Sequence, residues 1–143
     1  MPPTLLFLCI ISSLLLHLIF PVRKVVYPPY AYVGAAAIAI GVFIDIWADG
    51  IFKRKDNPVK PHEHPAVLVT SGPFRVSRHP MYLGMALIAM GVSLILGSLT
   101  ALLAVIPFVV IIDRVFIMSE EENVERIFKE KYRAYKRKVR RWL

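Results

Sequence analysis

The sequence predicts an all-α, polytopic integral membrane protein with about four transmembrane helices and a C-terminal amphipathic helix at the interface. The chain of 143 residues is 57% hydrophobic and only 20% charged, and its mean hydropathy is +0.58. That composition is too apolar for a water-soluble domain. Apolar runs of span length recur along the chain, and basic residues gather beside them. We treat residues 1–143 as a single domain.

The first two spans are predicted at about residues 4–20 and 30–52. The second carries Asp45 and Asp49, which are one helical turn apart and therefore share a face. Two interpretations stay open for this pair. The carboxylates line a polar cavity that binds a substrate cation, or they lie near the interface and pair with the basic residues that end the run.

The longest polar segment, residues 56–79 within the predicted cytosolic stretch 53–80, contains four prolines, which argue against continuous helix. His62, Glu63 and His64 resemble part of a metal site, but no third strong ligand is nearby. We therefore expect a solvated loop and no metal. Cys9 is the single cysteine, so neither an intramolecular disulfide nor a cysteine metal site is expected.

The third and fourth spans are predicted at about residues 81–97 and 99–118, joined by the tight turn Gly97–Ser98 into a helical hairpin. Small side chains in the third span favour close helix packing. Pro107 predicts a kink in the fourth. After Met118 the apolar residues recur at three- and four-residue spacing, which is typical of an interfacial helix held by anionic lipid. Either Ser119 begins this helix, or the fourth span continues into it.

The basic residues also predict orientation. Of the 18 Lys and Arg residues, six lie between Lys53 and Arg78 and nine lie in residues 119–143. With four spans both regions lie on one side, and the positive-inside rule makes that side cytoplasmic. The net charge of +8 is therefore explained by membrane lipids and not by nucleic acid.

Two sequence blocks lie at these boundaries. The first is Ser71–Phe74 followed by Arg78–Gly84, and it fits the pattern S-G-P-[F/Y]-x-x-x-R-H-P-x-Y-x-G. The second consists of Glu120, Glu121, Val124, Phe128, Lys129, Tyr132 and Tyr135. Together they resemble the signatures of the isoprenylcysteine carboxyl methyltransferase and phospholipid methyltransferase superfamily, over roughly residues 53–142. Lys129 stands where that superfamily usually has Gly.

The resemblance implies methyl transfer from S-adenosylmethionine to a lipophilic acceptor at the cytoplasmic face. Such an enzyme mainly aligns the reactants and excludes water, without a metal or a covalent nucleophile. The resemblance also implies which residues contact the cofactor: Val67, Leu68, Val69, Phe74, Arg78, His79, Pro80, Met81, Tyr82 and Glu120.

One position departs from the prenyl-cysteine enzymes, which have a substrate-binding Arg one turn before the Glu pair. Here that position is Phe116. Arg114 lies seven residues before Glu121, about two α-helical turns, so we expect the two to share a face and to act in catalysis. Alternatively, Arg114 pairs with Asp113 or Asp45.

The acceptor is therefore open between a prenyl-cysteine-type carboxylate and a lipid amine. An amine must lose a proton, for which a carboxylate or His79 could serve as base. Two other functions compete with methyl transfer: an NADPH-dependent membrane reductase of the sterol-reductase type, and a non-catalytic membrane scaffold. The sequence does not indicate an oligomeric state.

Overall fold

The computed structural model describes residues 2–19, 28–55 and 67–143, and the regular elements in these ranges are helices. This confirms the all-α prediction. The predicted loop around His62, Glu63 and His64 lies outside the described residues. The helices, in chain order, are α1 (Pro2–Ile19), α2 (Pro28–Arg54), α3 (Pro80–Leu96), α4 (Leu99–Ile111), α5 (Met118–Phe128) and α6 (Glu130–Lys138).

Three of the described helical stretches are long and apolar enough to cross a membrane: Pro2–Ile19, Ala31–Arg54 and Leu99–Phe128. The third predicted span, α3, is apolar but shorter, with 17 residues. At 1.5 Å per residue it rises about 25 Å, somewhat less than the hydrocarbon core of about 30 Å. Membrane crossing by α3 stays a prediction.

Helices α2 and α3 form the most extensive helix–helix interface, and glycines make it close. A Cβ added to Gly41 would lie 2.6 Å from the carbonyl oxygen of Gly84, and one added to Gly91 would lie 2.5 Å from that of Gly34. The glycines are spaced by seven residues on each helix, so both pairs fall on the same seam. The small residues of the third span therefore do allow close packing, as predicted.

The turn between α3 and α4 follows the predicted hairpin. Gly97 adopts a left-handed conformation (φ 67°), and its N–H donates to the carbonyls of Ser93 and Leu94, the usual way in which glycine ends a helix. Buried hydroxyls join the neighbouring helices, since Ser93 and Ser13 both donate to the Ala101 carbonyl, at 3.0 and 3.3 Å. The hairpin is thus fixed by polar contacts inside an apolar bundle.

The fourth span continues into the amphipathic region without a break, so Ser119 does not begin a new helix. Helices α4 and α5 are joined by a π-helical turn, Ile112–Ile117. A π turn takes up one residue more than an α turn. The side chains of α4 are consequently rotated about the helix axis relative to those of α5, compared with their positions in a continuous α-helix.

The amphipathic region is not one helix. Its break lies at Lys129, which adopts φ 44° and ψ −117°, a conformation that side chains with a Cβ disfavour. Helix α6 follows, and Val139 then turns extended. The superfamily's usual Gly at this position has a physical explanation here, because glycine would adopt the same backbone without strain.

We expect Gly91→Ala to destabilise the protein by about 1–2 kcal/mol, because the new methyl group meets backbone that cannot move aside. Gly50→Ala is the matched control, since a Cβ there meets nothing within 4 Å and alanine favours the helix. Thermal unfolding of the detergent-purified variants measures the difference. Equal stability of both variants would show that the α2–α3 seam is looser than described.

We expect Lys129→Gly to stabilise the protein by about 1 kcal/mol, because relief of backbone strain exceeds the added entropy of the unfolded chain. Lys131→Gly, at an exposed position inside α6, should instead destabilise by up to about 1 kcal/mol. Unfolding midpoints of the two variants test the sign. A loss of stability on Lys129→Gly would contradict a strained break at this residue.

Candidate functional site

The two sequence blocks meet at one end of the helical bundle. His79 lies directly before Pro80, the first residue of α3, and the Glu pair lies in the first turn of α5. The tail after α6, residues 139–143, contacts both blocks. The Arg78 N–H donates to the Arg140 carbonyl and the Ser77 hydroxyl to the Arg141 carbonyl, each at 3.1 Å, and the Arg141 side chain lies 3.0 Å from Glu121. Segments far apart in sequence thus form one cluster.

Glu121 is the centre of this cluster and is only 4% exposed. Its Oε1 lies 2.8 Å from a guanidinium nitrogen of Arg78 and 3.3 Å from Nε2 of His79. Its Oε2 lies 3.0 Å from Arg141 and 3.7 Å from Lys136. Burial alone raises the pKa of this carboxyl, but hydrogen bonds from His79 and Arg141 and the nearby positive charges lower it to about 2.

His79 lies between the two carboxylates. Its Nε2 faces Glu121 at 3.3 Å, and its Nδ1 faces Glu120 at 3.6 Å. Burial lowers the pKa of this imidazole, but the hydrogen bonds and charges of the two glutamates outweigh burial and raise the pKa above its ordinary value. Both ring nitrogens therefore face carboxylate oxygens, which orients the imidazole between the two glutamates.

Glu120 differs from its neighbour in exposure and in partners. Its side chain is 27% exposed, and its Oε1 accepts a hydrogen bond from the Tyr82 hydroxyl at 2.5 Å. Tyr82 lies in the first turn of α3, so this bond joins the two motif blocks directly. Glu120 is therefore the carboxylate of the pair that a solute can reach.

A second acidic centre lies on the other side of Arg141. Asp113 accepts hydrogen bonds from Nη1 of Arg141, at 3.1 and 3.3 Å, and from the indole N–H of Trp142 at 3.0 Å. Arg141 thus bridges Asp113 of the π turn to Glu121 of α5. The tail is held in place by charge-assisted hydrogen bonds at both of these residues.

A groove of about 590 Å³ opens beside this second centre, and we call it the arginine groove. It combines cationic side chains with an apolar wall from α4. Its lining residues are Arg78, Val109, Val110, Asp113, Arg114, Arg141 and Trp142.

The expected alignment of Arg114 with Glu121 is corrected by the structure. The Arg114 side chain is 74% exposed and lies 3.9 Å from Asp113, the alternative pairing considered from sequence, whereas Glu121 is buried. The π turn explains the difference, because two turns that include it take about eight residues and not seven. Asp113 therefore lies above Glu121, and Arg114 points into the groove.

The apolar residues predicted to contact the cofactor separate into different surroundings. Val69 and Phe74 are buried with Ala48, and Met81 packs against them. Leu68 packs against Tyr132 and Tyr135 of α6, while Val67 is 46% exposed and Pro80 is fully buried. Arg78, His79, Tyr82 and Glu120 are the members of the predicted set that the structure brings together around Glu121.

The two acidic residues of the second span also separate. Asp49 forms an ion pair with Lys53 at 2.6 Å, as the interfacial interpretation predicts. Asp45 instead lies against Gly84 in the α2–α3 seam, and its Oδ1 is buried without a hydrogen-bond partner among the described residues. Neither residue lines the arginine groove.

Arg141 was missed by sequence reasoning. It belongs to a basic run, residues 136–141, in which five of the six residues are Lys or Arg. Nothing in the sequence distinguishes one of these five cations from the others. Its spacing from Glu121 carries no helical signal because the chain breaks at Lys129 and again at Val139. The one available hint was the Gly expected at position 129, which predicts a reversal that returns the tail to the site.

Comparisons with known proteins agree with the motif blocks. A family model described as phospholipid methyltransferase matches residues 30–131, well over half of the chain. A stretch of 63 residues, 44% of the chain, is 46% identical to the full length of an uncharacterised protein of Haemophilus influenzae. No solved structure matches the chain. Arg141 and Trp142 lie beyond the residues that the family model matches.

We expect Glu121→Gln to cost about 3–5 kcal/mol of stability at neutral pH, because Arg78 and Arg141 would lose a buried countercharge. Glu122→Gln, at an exposed neighbouring position, is the matched control and should have little effect. Denaturant unfolding of both variants in detergent gives the values.

The stability of wild type and of Glu121→Gln can also be compared as a function of pH. Because the pKa of Glu121 is about 2, below the ordinary value of about 4.3, its stabilisation is fully present above about pH 4.3. It is lost as the pH falls toward about 2. The stability difference between wild type and Glu121→Gln should shrink over that window. A difference that does not change with pH would contradict an ionised, paired Glu121.

Proposed function

The chain belongs to the phospholipid methyltransferase family, and from that premise we propose that it transfers a methyl group from S-adenosylmethionine to a lipophilic acceptor. The resemblance of its two motif blocks to the wider superfamily is confirmed by the family match. Family membership implies a membrane methyltransferase that acts on a lipid. The cofactor, the residues that hold it and the side of the membrane are the parts that we propose.

The observation that carries this proposal is the meeting of the two motif blocks. Tyr82 and Glu120 are 38 positions apart and their side chains are 2.5 Å apart, while His79 and Glu121 meet across 42 positions at 3.3 Å. A scaffold protein has no need to bring buried ionisable groups together at this cost. Perturbed, paired ionisable groups near a groove are typical of functional sites.

The polar side chains of the cluster suit the functional groups of the cofactor. The partly exposed Glu120 carboxylate, oriented by Tyr82, suits hydroxyl or ammonium groups. Arg78 retains one unused donor, because its Nε is buried without a partner among the described residues, and a guanidinium suits a carboxylate. When bound, S-adenosylmethionine supplies a methyl group on a cationic sulfur, which keeps the electron pair of the broken C–S bond as the acceptor's lone pair bonds to the methyl carbon.

The chain's own residues would contribute position and not proton transfer. His79 orients both glutamates, and Glu121 fixes Arg78 and Arg141 at the edge of the groove. A carboxyl with a pKa of about 2 is a poor base at neutral pH. We therefore assign Glu121 to organisation of the site and Glu120 to direct contact with the cofactor.

We further propose that the site faces the cytoplasm. Support comes from the concentration of Lys and Arg in residues 53–78 and 119–143 and from the positive-inside rule. A polar cofactor would then reach the cluster from the cytosol, while a lipophilic acceptor would enter from the bilayer along α4.

Calorimetric binding of S-adenosylhomocysteine, the reaction product, tests the proposal on detergent-purified protein. We expect the wild type to bind and both Glu120→Gln and Tyr82→Phe to weaken binding by about tenfold, since each removes a hydrogen bond at the contact site. Glu122→Gln and Tyr32→Phe, both at exposed positions, are the matched controls. No binding by folded wild type, or equal binding by all variants, would overturn the assignment.

A further inference from the structure

The C-terminal segment, residues 129–143, carries more positive charge than its contacts with the protein use. It contains eight Lys and Arg residues and one Glu. Three of the eight, Arg133, Lys136 and Arg141, pair with carboxylates of the chain. Unpaired like charges on one short segment repel each other, and an anionic surface relieves that repulsion. The other five cations are exposed and form no ion pair with the described residues: Lys129, Lys131, Arg137, Lys138 and Arg140.

The tail lies at the level where the apolar spans α3 and α4 end. The Arg140 carbonyl accepts a hydrogen bond from the Arg78 N–H at 3.1 Å, two residues before α3 begins. Trp142 packs against the apolar core of the bundle, and its indole N–H donates to Asp113 of the π turn at 3.0 Å. An indole with its ring among apolar residues and its N–H on a polar partner is typical of a bilayer boundary. We therefore expect the end of α6 and the tail to lie among lipid headgroups.

The paired and unpaired cations of this region lie on different sides. The tyrosines of α6 are buried, while Arg137 and Lys138 in its last turn are exposed. Val139 then becomes extended, and successive side chains of an extended segment point to opposite sides. Arg141 accordingly pairs with carboxylates of the site, whereas Arg140 is exposed. We call the three exposed cations, Arg137, Lys138 and Arg140, the basic rim.

The anionic headgroups of the bilayer fit the basic rim in charge and in position. Each Lys or Arg near an anionic leaflet contributes a factor of about five in affinity. Cytoplasmic leaflets carry such lipids, which agrees with the cytoplasmic face that we propose for the site. Leu143, at the end of the same tail, is 68% exposed. A lipid surface can cover this apolar side chain, whereas a nucleic acid matches only the charge.

We infer that the basic rim binds anionic lipid headgroups and that this contact holds the tail on Glu121 and Asp113. The two parts are joined by the chain itself, because Arg140 of the rim is adjacent to Arg141, which pairs with both carboxylates. Lipid charge outside the site therefore stabilises the docked tail. The lipid contact is independent of the proposed methyl transfer. Its effect on cofactor affinity rests on that proposal, since the docked tail holds Arg78 in the cluster.

Fluorescence of Trp142 tests the lipid contact. The chain has two tryptophans, so Trp47→Phe leaves Trp142 as the sole reporter. This protein is placed in nanodiscs of zwitterionic phosphatidylcholine, either alone or mixed with anionic phosphatidylglycerol, with bromine near the head of the acyl chains of one lipid at a time. At equal mole fraction we expect phosphatidylglycerol to quench Trp142 about fivefold more effectively than phosphatidylcholine, the factor expected for one cation.

Acrylamide, a water-soluble quencher, tests whether the lipid holds the tail in place. In nanodiscs that contain phosphatidylglycerol, Trp142 should be better protected from acrylamide than in phosphatidylcholine alone, because the docked indole packs in the bundle. The triple variant Arg137→Gln, Lys138→Gln, Arg140→Gln should lose both the lipid preference and the added protection. Salt should weaken both effects in the wild type, since the charges are exposed.

The control variant combines Arg54→Gln, Arg75→Gln and Arg126→Gln, which removes three exposed cations outside the tail. It has the same net charge as the rim variant and should retain the wild-type lipid preference. Equal quenching by the two lipids in the wild type, or equal loss of preference in both variants, overturns the inference. Protection that does not respond to phosphatidylglycerol also overturns it. Equal protection by a short RNA duplex added to phosphatidylcholine nanodiscs would assign the rim to a nucleic acid instead.

Calorimetry with S-adenosylhomocysteine in the same nanodiscs separates this inference from the proposed function. Tighter binding in the presence of phosphatidylglycerol by the wild type, but not by the rim variant, supports both. Binding of the nucleoside product without a lipid preference at Trp142 leaves methyl transfer standing and overturns the lipid surface. A lipid preference at Trp142 without binding of the nucleoside product overturns the proposed reaction and supports the lipid surface.

Discussion

The buried charge of Glu121 is the constraint on which the site depends. Removing a carboxylate from water is costly unless cations and hydrogen bonds replace the lost hydration. Arg78 and His79 approach it from the start of α3, while Lys136 and Arg141 approach it from α6 and the tail. One desolvated charge therefore requires three separate parts of the chain to meet, and their meeting creates both the Tyr82–Glu120 contact and the edge of the groove.

The packing of the helical bundle determines where the chain segments around Glu121 are placed. The glycine seam brings α2 and α3 to backbone contact, which fixes the height and direction at which α3 emerges. The π turn then rotates the end of the fourth span. As a result Asp113 faces the tail, and Arg114 is left facing the groove. A small change of helical pitch thus separates the paired carboxylate of Asp113 from the exposed guanidinium of Arg114.

The site has a polar part and an apolar part. Its polar centre is enclosed by paired charges, while Val109 and Val110 extend it onto a membrane helix. Pairing of the charged groups with one another limits the cost of placing them beside the hydrocarbon region. It also lowers the basicity of Glu121, so this carboxylate favours binding and alignment over proton transfer.

Sequence by itself determined the all-α membrane class, the helical hairpin, the close packing of the third span and the pairing of the two motif blocks. Apolar periodicity, Gly97 and the fixed motif spacings are local properties, and local chemistry is what a sequence states directly. The π turn, the reversed backbone at Lys129 and the return of Arg141 to Glu121 were decided only by the tertiary structure. Each depends on how distant segments satisfy one buried charge together, and neither spacing nor composition encodes that balance at any single residue.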